Sequence, residues 1–204
     1  MTDETIADEM ITDETITVEP VRAEVWPDIQ EIFGERGDPS GCWCQWFKLS
    51  GAGNRDTPRD AKAERLRESL DQDPGPGVVA WIDGEPVGWA AVEPYSAYPG
   101  LARSPITKRI GDDPADPWAV TCFVVRLEYR KRGVARALLR GALDFALSRG
   151  ATVVEGYPVD PEVRPSLSNA ERYHGTVSLF DSAGFRVVRR PSATRAIVRF
   201  EAER

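Results

Sequence analysis

The sequence predicts an α/β domain, a mixed sheet flanked by helices, on three observations. Strand-like apolar runs alternate with helical periodicity in the order β α α β β β α β α β β. The turn pair Asp83-Gly84 separates two apolar runs, the signature of a tight hairpin. A nearly continuous apolar run over 118–125 leads into the longest amphipathic pattern of the chain, over 130–148. No second domain is evident in the 204 residues. Residues 16–204 are therefore expected to form one domain, and residues 1–15 an acidic, disordered tail.

The elements follow in order. The alternation Ile16-Thr17-Val18-Glu19-Pro20-Val21 predicts a short strand, and 26–33 a helix closed by Gly34. Residues 34–56 are rich in Gly, Ser and Pro, yet hold Cys42-Trp43-Cys44-Gln45-Trp46-Phe47, which is too aromatic for a solvated loop. Thr57 as cap and Pro58 at the first helical position predict a helix to about Leu70. The hairpin strands are expected over 78–82 and 87–92, and the proline-rich stretch 94–117 as a long irregular connection. In the helix over 130–148, Val134, Ala135, Leu138, Leu139, Ala142 and Ala146 make the apolar stripe, and Gly150 ends it. A strand over 152–157, a short helix over 175–182 and closing strands over 185–190 and 196–200 complete the chain.

Composition excludes several function classes. Seven of the 33 acids lie in residues 1–20, leaving 26 acids against 26 bases, so the body is neutral rather than basic. A nucleic-acid partner is not expected of such a surface. No apolar run reaches the ~20 residues of a membrane span, and the start MTDETIADEM lacks the features of a secretory signal, so a cytoplasmic protein is expected. Cys42, Cys44 and Cys122 with His174 as the one histidine cannot complete a zinc site, so no metal is expected.

Chemistry concentrates at Arg130-Lys131-Arg132-Gly133-Val134-Ala135, where three cations stand at a helix start whose dipole disfavours them. An anion resolves the conflict. Free amides at the helix start, a glycine permitting close approach and cations for charge together suit a phosphate. Neither a P-loop nor a dinucleotide glycine fingerprint occurs.

This hexapeptide fits the pattern Gln/Arg-x-x-Gly-x-Gly/Ala, and the chain here resembles the GCN5-related N-acetyltransferases (GNATs), whose signature that is. A second family block, usually L-Y-E-K-L-G-F, is matched by Leu179-Phe180-Asp181-Ser182-Ala183-Gly184-Phe185. The resemblance covers roughly residues 16–200 and implies a GNAT-like acyl-CoA N-acyltransferase fold, a central mixed, mostly antiparallel sheet flanked by helices. It further implies acetyl-CoA as co-substrate, with its pyrophosphate on the amides of Arg130, Lys131, Arg132, Gly133, Val134 and Ala135. Its pantetheine arm would run along Phe123, Val124 and Val125, where a main-chain N–H would hold the oxyanion.

By the same resemblance, the activity would be acetyl transfer to a primary amine by direct attack in a ternary complex. The acceptor would be a small molecule or peptide, and a homodimer is expected. The chain departs from the family at Phe180, which replaces a tyrosine that often serves as general acid. Glu155 as base and Tyr173 as acid are the first substitutes, with His174, Tyr157 and Glu93 behind them. Trp43 and Trp46 are expected to wall the acceptor pocket, against the alternative that they pack the core. Two other readings stand beside the enzyme. One is a non-catalytic CoA-binding sensor or interaction module, the other a nucleotide-binding regulator.

Overall fold

The computed structural model of the protein describes residues 15–110, 116–163 and 169–202. Of the expected tail only Thr15 falls within them. The described residues form seven strands: β1 (Ile16–Pro20), β2 (Gly77–Ile82), β3 (Glu85–Pro94), β4 (Trp118–Val125), β5 (Val153–Gly156), β6 (Arg186–Ser192) and β7 (Arg195–Glu201). They make one sheet in the order β1-β2-β3-β4-β5-β7-β6. Every pairing is antiparallel except β4 with β5. The predicted hairpin is present, with Asp83 and Gly84 both at positive φ, 51° and 83°, as a two-residue turn of this twist requires.

Eight helices accompany the sheet among the described residues: α1 (Trp26–Phe33), α2 (Asp38–Cys42), α3 (Gly51–Asp56), α4 (Arg59–Ser69), α5 (Pro99–Arg103), α6 (Val134–Ser148), α7 (Asn169–Arg172) and α8 (Val177–Asp181). Strand alternation sends neighbouring residues to opposite faces. Val78, Ala80, Ala90 and Val92 thus meet Leu138, Leu139, Ala142 and Phe145 of α6 on one face. Val79, Trp89 and Ala91 meet Ile29, Ile32, Phe33 and Leu66 of α1 and α4 on the other.

Three expected boundaries are corrected. The long helix begins at Val134 rather than at 130, because Lys131 (φ 64°) and Gly133 (φ 83°) turn the chain through left-handed conformations first. Its end is as expected: Gly150 N–H bonds to Leu147 O and Ala151 N–H to Ala146 O, which satisfies the last carbonyls. Thr57 does not cap α4. It closes α3 instead, and Pro58 occupies the cap position. The connection over 94–117 is also partly ordered, carrying α5 in its described portion.

One irregularity positions the site. β4 pairs with β5 only through Trp118, Ala119 and Val120, after which β5 ends at Gly156 and β4 runs on to Val125 with β3 as its one remaining partner strand among the described residues. At the same point Ala91 faces Cys122 while Val92 faces Val120, so Thr121 is an extra, bulged residue. The sheet therefore opens at its middle.

Candidate functional site

A groove of about 370 Å³ lies in this opening, lined by Phe123, Val125, Arg130, Ala135, Arg172, Tyr173, Gly175, Thr176 and Leu179. At its head is the start of α6, where Gly133 takes the cap position and no side chain caps the helix. The first amides of a helix lack internal acceptors, so such an end attracts an anion. A Cβ on Gly133 would meet nothing nearer than Ile16 Cδ1 at 3.8 Å, so the space above it is open and the glycine is required by φ rather than by crowding. Arg130 Nε lies 3.4 Å from Val125 O, and the guanidinium of Arg132 stacks 4.8 Å from the Tyr129 ring.

Beside it is a larger cleft of about 550 Å³, whose wall includes Phe33, Asp38, Cys42, Cys44, Trp46, Phe47, Asn54, Thr121, Cys122, Tyr173, His174 and Arg195. It is assembled from α1, α2, the segment after α2, α3, β4 at and beyond its bulge, α7 with its Glu171, the turn before α8 and the start of β7. Among the described residues, Tyr173 is the one side chain that lines both cavities. A ligand in the groove and a ligand in the cleft would meet there.

The GNAT acetyltransferase family model matches residues 26–175, about three quarters of the chain. The chain belongs to that family. Among solved structures, it is similar to a GCN5-related N-acetyltransferase from Kribbella flavida, at 20% identity and a TM-score of 0.53 over 92% of this chain and 98% of that one. It is also similar to the PaiA N-acetyltransferase from Thermoplasma acidophilum in complex with coenzyme A, at 14% identity and TM-score 0.52, covering 92% and 99%. A third likeness is to yncA from Salmonella typhimurium with its cofactor acetyl-CoA, at 15% identity and TM-score 0.53, covering 91% and 93%. No curated protein matches the sequence. At these identities the likenesses show the fold.

The signature residues of this GNAT protein lie where the groove meets α6, with Arg130 and Ala135 in its wall. Along β4 the expectation meets an obstacle. Phe123 N–H, on the strand that the resemblance assigned to the pantetheine arm, is held by Tyr173 O at 2.6 Å. Running the cofactor arm along this edge requires that bond to open.

The predicted acceptor and catalytic residues are divided by the fold. Trp46 stands at the cleft rim, 59% exposed. Trp43 does not reach the cleft: it is buried, stacked on Phe33 at 4.8 Å and tilted against Trp26 at 5.5 Å. The cause is local. Trp43 and Cys44 both take left-handed φ (48° and 53°), a costly reversal that turns the first aromatic inward. Trp89 Nε1 holds it by donating to Cys44 Sγ at 3.2 Å.

Glu155 is not brought together with Tyr173. The β5–β7 register sets it opposite Arg199, which donates to it at 2.8 Å, and Tyr157 Oη donates at 3.1 Å. It lines a separate cavity of about 270 Å³ with Arg109, Arg189 and Arg199. Glu93 is likewise sequestered, within 2.8 Å of Lys48 Nζ. Phe180 is wholly buried against Phe123 and Phe185, with its ring pressed onto Gly156, and lines neither cavity.

Tyr173 and His174 remain at the junction. Burial, then the Asp38 charge, raises the Tyr173 phenol above its usual value, with Arg130 opposing, so the hydroxyl keeps its proton at neutral pH. Burial pushes the His174 imidazole down to about 4, so the ring is neutral. Its Nδ1 lies 2.9 Å from Thr121 O. A carbonyl only accepts, so the proton sits on Nδ1 and Nε2 is left as an acceptor. Cys42 and Cys44 are poor nucleophiles: burial and the neighbouring Cys44 raise Cys42 to about 11, and burial raises Cys44 as well.

Proposed function

We propose that the protein is an acetyl-CoA-dependent N-acetyltransferase that moves an acetyl group to a primary amine by direct attack, with both substrates bound together. The observation that carries this reading is the junction at Tyr173, where a groove headed by an uncapped helix start adjoins an acceptor-sized cleft. Acetyl-CoA would lie in the groove, its pyrophosphate on the first amides of α6 and its thioester beside Tyr173. The raised thiols of Cys42 and Cys44 favour direct attack over an acetyl group carried on either of them.

In this reading the amine enters from the cleft, and neutral His174 accepts its proton through Nε2 as the C–N bond forms. The protonated Tyr173 phenol donates to the departing thiolate. His174 takes the role expected of Glu155, because it lines the cleft and Glu155 does not. Tyr173→Phe tests the assignment: kcat falls about 100-fold while acetyl-CoA affinity stays within about threefold, since only one hydroxyl is lost. Unchanged kcat would remove Tyr173 from the chemistry.

Phe180, buried where the family often has a tyrosine, favours a second reading, a CoA-binding module without turnover. Release of CoA thiol in the presence of an amine separates the two.

A further inference from the structure

Arg195 is unusual among the residues that line the acceptor cleft. Its side chain is only 24% exposed, and its ion pair to Glu171 Oε1 is 3.9 Å long, beyond hydrogen-bonding reach. A desolvated guanidinium offers several donors and is costly to leave without acceptors. Burial accordingly lowers its pKa, with Glu171 the opposing influence. An unpartnered acceptor lies in the same cleft: Asn54 Oδ1 is buried and has no hydrogen-bond donor among the described residues. The same lining offers apolar surface from Phe33, Cys42, Phe47 and Val124, with Trp46 at the rim, beside the carboxylates of Asp38 and Glu171.

Resting on the N-acetyltransferase reading, we infer that the acceptor is a small apolar α-amino acid, whose carboxylate is held by Arg195 and whose amino group faces His174 and Tyr173. The chemistry fits feature by feature. A carboxylate supplies the two acceptors a guanidinium fork is shaped for. Arg195 and His174 line the same cleft, and the Arg195 charge adds to burial in lowering the imidazole, so a carboxylate on one leaves an α-amine, two bonds away, towards the other. Asn54 Oδ1 adds an acceptor for a ligand N–H, and the apolar wall takes the side chain. A simple amine of the same shape would leave Arg195 with only the distant Glu171 carboxylate, at 3.9 Å.

The test compares L-phenylalanine with 2-phenylethylamine, which lacks only the carboxylate. Each is titrated calorimetrically into protein saturated with CoA, and each is assayed for CoA release from acetyl-CoA. The expected preference for phenylalanine is about 30-fold in both readouts, the size of a charge-assisted contact. Arg195→Gln should erase most of that preference, leaving 2-phenylethylamine within about threefold of its original affinity. Arg195→Lys should fall between. Equal binding of the two probes to the unaltered protein overturns the inference, whatever the variants do. An equal loss for both probes in Arg195→Gln overturns it as well. Preferential binding of phenylalanine without any acetyl transfer upholds the carboxylate site and refutes the transferase reading instead.

Discussion

The two cavities that meet at Tyr173 are built in opposite ways. The groove is lined from two short stretches, Phe123, Val125, Arg130 and Ala135 within thirteen residues and Arg172, Tyr173, Gly175, Thr176 and Leu179 within eight, and its polar head is main-chain amide at the start of α6. The cleft gathers side chains from Phe33 to Arg195, carried on helices, a bulged strand and turns that meet only in the folded chain. Recognition by backbone needs a fixed local conformation, so it leaves a short signature. Recognition by dispersed side chains leaves none.

The sharpest way to break the comparison is at Gly133. Gly133→Glu is expected to weaken acetyl-CoA at least about 100-fold, measured by calorimetry, because a carboxylate would sit where the diphosphate belongs. Gly133→Ala, carrying the positive-φ strain of about 1 kcal/mol without the charge, should bind far better. Similar loss in both variants would make the effect backbone strain, and the groove would no longer stand as a backbone anion site.

Trp43 and Trp46 sharpen the contrast within one short segment. Trp43→Ala removes a buried ring stacked on Phe33 and should cost about 3–5 kcal/mol in denaturant unfolding. His174 predicts a smaller, pH-dependent term. Its folded-state pKa of about 4 lies below the ordinary 6.5, so the unfolded chain binds the proton first. The stability it confers is complete above pH 6.5 and falls away as pH drops towards 4, by at most about 3 kcal/mol. His174→Gln should flatten that part of the curve, and an unchanged slope would show the ring to be solvated. The smallest effect is expected at Trp46→Ala, a rise of a few-fold in acceptor KM with unfolding unaltered within about 0.5 kcal/mol. A large loss of stability there would return Trp46 to the core.

These differences also explain what could be read in advance. The strand order, the Asp83-Gly84 hairpin and the buried face of α6 all follow from local periodicity and turn chemistry. The signature could be read because its function is local. Trp43 could not be told from Trp46, since the deciding event is a left-handed turn at two residues that have no glycine to announce it. Glu155 could not be removed from the cleft without knowing the β5–β7 register that pairs it with Arg199. Arg195 and Asn54 carried no signal at all. His174 was visible as the one histidine, but the Thr121 bulge that orients it is a tertiary feature.

The central claim is that groove and cleft form one two-substrate site. Initial rates of CoA release measured over a grid of acetyl-CoA and phenylalanine concentrations test it most directly. Intersecting double-reciprocal lines, the pattern of a complex holding both substrates, are the predicted result. Parallel lines would mean that acetyl leaves on an enzyme group before the amine binds, and would contradict direct transfer across Tyr173.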